Sequence, residues 1–103
     1  MAILKRKLIN YITNNSPEKD LSFDISNIKY TLDGCTKNIG AVGFIRNNKT
    51  GKTTYVNTEE SYARIGQCGG KYLYRKADGY NDWSGGRNMF TNDLADIVEF
   101  INR

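Results

Sequence analysis

Asn47-Asn48-Lys49-Thr50-Gly51-Lys52-Thr53-Thr54-Tyr55-Val56 is the stretch on which the fold turns. Asparagine and glycine tolerate the backbone of a tight turn, Gly51 supplies a positive φ, and β-branched and aromatic residues resume directly after it. This predicts a β-hairpin. Upstream, Ile39-Gly40-Ala41-Val42-Gly43-Phe44-Ile45 reads as its first strand, buried on much of both faces, with Gly40 and Gly43 allowing another element to come close.

Earlier still, Leu21, Phe23 and Ile25 alternate on one phase and Ile28, Tyr30 and Leu32 on the other. The slip near Ser26-Asn27 predicts a bulged strand or two short ones, followed by a turn at Asp33-Gly34. Downstream, Asn57 precedes Glu60 at capping-box spacing, so a short helix is expected through Ile65, ended by Gly66. Lys71 to Ala77 reads as a strand rich in tyrosine and basic residues. Residues 78–88 read as a loop.

The two ends of the chain change period. Leu4, Leu8, Tyr11 and Ile12 recur at helical spacing until Asn14-Asn15-Ser16-Pro17 stops them. Leu94, Ile97, Val98 and Ile101 do the same after a Thr91-Asn92-Asp93 cap. Connections between the strands are too short for parallel crossovers. The expected fold is therefore α+β: one domain over residues 1–103, with an antiparallel sheet of three to five strands. An N-terminal and a C-terminal amphipathic helix should flank it, with a short helical insert.

Composition narrows the function classes. The chain has no histidine, which removes Ser-His-Asp, Cys-His and His-metal chemistry. Its longest apolar run falls far short of the roughly 20 residues of a membrane span, and its N-terminus lacks the order of a secretory signal. A cytoplasmic protein with free thiols at Cys35 and Cys68 is expected. Neither cysteine spacing nor the acids Asp78 and Asp82 with Asn81 match a metal signature. Gly51-Lys52-Thr53 ends like a phosphate loop but has Arg46 where the first glycine belongs and leads into a strand. No catalytic residue, metal or cofactor is expected.

What remains is binding. The loop carries Tyr80, Asn81, Asp82, the only tryptophan, Trp83, and Arg87, residue types that dominate protein-binding hot spots, beside Tyr72 and Tyr74 of the preceding strand. These are the expected contacts to a protein partner, although Trp83 could equally plug the small core. Nucleic acid is the rival partner. Residues 1–52 hold nine Lys/Arg against four Asp/Glu, and residues 53–103 six against seven. Lys5, Arg6 and Lys7 with Lys71, Arg75 and Lys76, interleaved with tyrosines, form a pattern that attracts phosphates and stacks bases.

Twelve Asn and seven Tyr with a single Pro also fit an AT-rich coding sequence. That composition suggests a phage or mobile-element protein of low-GC bacteria, such as an anti-CRISPR-like inhibitor of a defence or regulatory protein acting by surface occlusion. No residue motif ties the chain to a known family.

Overall fold

The computed structural model describes residues 3–59, 72–77 and 87–103. Five strands, β1 (Leu21–Leu32), β2 (Cys35–Asn47), β3 (Thr53–Asn57), β4 (Tyr72–Ala77) and β5 (Met89–Thr91), form one sheet in chain order, and every neighbouring pair is antiparallel. Helix α1 (Lys5–Asn15) precedes the sheet and α2 (Leu94–Ile101) follows it. The molecule is α+β with a five-strand antiparallel sheet and two helices. The expected helix after Asn57 lies almost wholly outside the described residues.

The hairpin at 47–56 forms where its turn chemistry puts it. Asn47 N–H donates to the Lys52 carbonyl and Gly51 N–H to the Asn47 carbonyl, both at 2.8 Å, with Gly51 at φ +81°. The buried Asn47 side chain does more than shape the turn. Its Oδ1 accepts from the N–H groups of Lys49 (3.0 Å) and Thr50 (3.3 Å), while its Nδ2 donates to the Ile101 carbonyl at 3.0 Å. One side chain thus ties the turn to the last carbonyls of α2, which lack intrahelical partners.

Register sorts the side chains onto two faces. Ile25 stands opposite Gly43, Gly43 opposite Val56 and Phe23 opposite Ile45. On this face Ile25, Ala41, Ile45, Val56 and Tyr72 form one core with Leu8 and Ile12 of α1 and Leu94, Ile97, Val98 and Ile101 of α2. Most of these side chains are fully shielded, and each buried Leu, Ile or Val contributes about 1.5–3 kcal/mol of burial. A second cluster, Phe44, Tyr55, Leu73 and Ala77, lies on the opposite face, with the Phe44 and Tyr55 rings 5.5 Å apart.

The helices are ended differently. Asp93 caps α2, its side chain accepting from Ala95 N–H at 2.9 Å, as the cap sequence predicts. Leu4 at the start of α1 offers no side-chain cap, and the Lys5 N–H instead donates to Asn27 Oδ1 of β1 at 2.8 Å.

The alternation slip in β1 has an explanation different from either expectation. β1 is one continuous strand, and the extra residue, Ile39, sits in β2, between the pairs Ile28 with Gly40 and Lys29 with Asn38. Ile28, Tyr30 and Leu32 fall on the side opposite to Ile25, and from Lys29 onward every residue of the strand is exposed. β2 accordingly begins at Cys35, four residues before the apolar run. Among the described residues no helix is long and apolar enough to cross a membrane.

Candidate functional site

β3 pairs with β2 only from Val42 to Arg46, so among the described residues the far part of the β1–β2 pair has no third strand beside it. Every residue from Lys29 to Asn38 is exposed. At about 3.4 Å per residue, the opposed pairs from Lys29 with Asn38 to Leu32 with Cys35 and their turn form a two-stranded arm on the order of 15 Å long. The molecule's extents, 45 × 26 × 23 Å, are those of a body with such a projection.

Pairing assigns the arm two chemically distinct sides. Tyr30 opposes Lys37 and Leu32 opposes Cys35, and these pairs share one side. Lys29 opposes Asn38 and Thr31 opposes Thr36 on the other, where the two threonine hydroxyls are hydrogen-bonded at 3.0 Å. Tyr30 is 52% exposed and Leu32 57%, the largest exposures of big apolar side chains among the described residues. A domain surrounded by water has no packing reason to hold two such groups at the end of an arm.

The base of the arm meets α1. Lys5, Arg6, Ile9, Asn10 and Asn27 line an open groove of about 330 Å³, and Asn27 lies on the same side of β1 as Lys29. The first turn of α1 carries Lys5, Arg6 and Lys7 and no acid, so three cations sit at the positive end of the helix dipole. Each such placement is unfavourable by about 0.3–1 kcal/mol at low salt. Among the described residues none of Lys5, Arg6, Lys7, Lys29 or Lys37 has a carboxylate partner; ion pairs join Lys49 to Glu18 (3.7 Å) and Arg103 to Glu99 (3.2 Å).

The residues singled out in the sequence are not brought together. Tyr80, Asn81, Asp82, Trp83 and Lys71 lie outside the described residues, and Arg87 is exposed. Tyr72 is buried in the core, so its ring serves packing and is not a surface contact. Tyr74 is half-buried, its ring edge-on to Phe100 at 5.3 Å. Burial, then the nearby Asp96 carboxylate, pushes the Tyr74 hydroxyl above its ordinary pKa.

The basic residues also part company. Arg75 lies on the second-cluster side, 5.7 Å from the Tyr55 ring centroid. Lys76 is exposed near the opposite end of the sheet from Lys5, Arg6 and Lys7, since it opposes Thr54, which opposes Ile45. At that end Lys52 Nζ donates to the Phe100 carbonyl at 2.7 Å and stands 3.8 Å from the Phe100 ring centroid. Desolvation, then Arg103 and Lys76, hold the Lys52 pKa below its usual value.

No protein-family model, curated protein or solved structure matches the chain.

Tyr30 and Leu32 are the residues that sequence reasoning missed as candidates. A signal for them is nonetheless there: both fall on the phase opposite to Phe23 and Ile25 of the same strand, beside the Asp33-Gly34 turn. Among the described residues no three His, Cys, Asp or Glu side chains are grouped to hold a metal ion.

Proposed function

We propose that this is a non-enzymatic binding protein of the cytoplasm that works by occupying a surface of a protein partner. The observation that carries this reading is the exposure of Tyr30 and Leu32 side by side on a projecting arm. Aromatic and aliphatic side chains on a narrow projection fit an anchor entering a partner's apolar cleft, and each would contribute roughly 1.5–3 kcal/mol when fully buried there. In this reading the two terminal helices flank the sheet and leave the arm free.

The AT-rich composition supports the narrower form, an inhibitor from a phage or mobile element that blocks a bacterial defence or regulatory protein. The test is capture from a nuclease-treated lysate of a low-GC bacterium, with the wild-type protein and a Tyr30→Ser/Leu32→Ser variant side by side. A protein retained by the wild type and absent with the folded variant is the expected result. Identical capture by both would remove the arm from the function.

A further inference from the structure

The other side of the arm has a different chemistry, and we infer that it forms, with the first turn of α1, a binding surface for duplex DNA. The inference is independent of the protein-docking reading, which uses the opposite side of the same two strands.

Four observations converge. Lys5 and Arg6 line the groove at the arm's base together with the amides of Asn10 and Asn27. Asn27 holds the groove together, since its Oδ1 accepts from the Lys5 N–H and so fixes the start of α1 against β1. Along the same side of β1 the next residues are Lys29 and Thr31, opposed by Asn38 and Thr36. Finally, none of the cations Lys5, Arg6 and Lys29 is neutralised by a carboxylate among the described residues, and Asp33 at the tip is the arm's only acid.

Charge complementarity selects a polyanion. Three unpaired cations spread over a groove and a strand match the spaced charges of a phosphate backbone better than a single small anion. The shape selects a duplex and, among duplexes, B-form DNA. A two-stranded ribbon fits a major groove about 12 Å wide, whereas the major groove of A-form RNA is too narrow for side chains to read. Lys5 and Arg6 would meet the backbone at the groove's edge, while Thr31, Thr36 and Asn38 bring hydroxyl and amide groups that hydrogen-bond base edges. This side of the arm presents no exposed aromatic ring on which single-stranded bases would stack.

Three basic groups at the far end of the sheet are already engaged. Lys52 is engaged with Phe100, Lys49 with Glu18, and Lys19 Nζ with the Thr13 carbonyl.

The experiment compares binding of a random-sequence DNA duplex, a single strand and an RNA duplex by fluorescence anisotropy at several salt concentrations. Three proteins are used: wild type, Lys5→Gln/Arg6→Gln/Lys29→Gln, and a control of equal charge, Lys19→Gln/Lys49→Gln/Lys76→Gln. All six positions are exposed, so both variants should fold. The expected result is preference for duplex DNA, at least a tenfold loss in the arm-side variant and less than threefold in the control. The salt slope should shrink by roughly 0.9 for each phosphate that the variant no longer neutralises. Equal losses in both variants would mean generic attraction and overturn the inference. So would an RNA duplex or a single strand bound as tightly as duplex DNA, or no wild-type binding near 0.1 M salt.

Discussion

Gly43 shows how much one residue decides. A Cβ at this position would overlap the Asp24 carbonyl oxygen and sit 2.7 Å from Ile25 Cα, backbone atoms that cannot turn aside. Gly43→Ala should therefore cost about 3 kcal/mol or more, read as a lower urea midpoint, whereas Gly34→Ala meets no atom within 4 Å and should cost only the roughly 1–2 kcal/mol of its left-handed backbone. Similar losses at the two sites would mean that β1 does not press on β2 at Gly43. That Gly43 admits a close neighbour is legible in an apolar strand interrupted by glycine; that the neighbour is the backbone of β1 is not. Thr58 was illegible altogether. It is buried, accepts from Ala41 N–H at 2.8 Å and donates to the Ile3 carbonyl, partners 17 and 55 residues away that no local pattern announces.

Elements with a strong period or turn chemistry were readable: the hairpin at Asn47, α2 with its Asp93 cap, and the stop of α1 before Pro17. β5 was not, because three residues are too few to show a period. The arm was half readable. Its turn at Asp33-Gly34 and its alternation are local, but the loss of its third strand depends on where β3 ends. Because no residue from Lys29 to Asn38 belongs to either core cluster, replacing this segment by an Asn-Gly turn should leave the domain folded at a loss below about 1 kcal/mol in urea unfolding. A loss of several kcal/mol would show that the arm supports the core and is not free to serve a partner.

At the scale of the whole molecule, the charge distribution and the core meet in the alkaline stability. Burial and Asp96 raise the pKa of Tyr74, so between about pH 10, where the unfolded tyrosine ionises, and its higher folded value the native state binds more protons than the unfolded chain. Stability then falls as pH rises. Lys52 acts in the opposite sense: its lowered folded pKa means that the unfolded chain holds the proton longer, so stability rises as pH climbs through the folded value toward 10.5. Urea unfolding from about pH 8 to about pH 11.5 should show a smaller alkaline loss in Tyr74→Phe than in wild type and a larger one in Lys52→Met; parallel curves would mean that neither group is linked to folding. By itself the sequence determined the α+β class, the antiparallel connections, the main hairpin and the absence of histidine chemistry, since each follows from local spacing, short loops or composition. Only the tertiary structure decided which aromatics are core and which are exposed. Exposure depends on residues distant in the chain: it buried Tyr72, half-buried Tyr74 against Phe100, and left Tyr30 and Leu32 exposed beyond the end of β3.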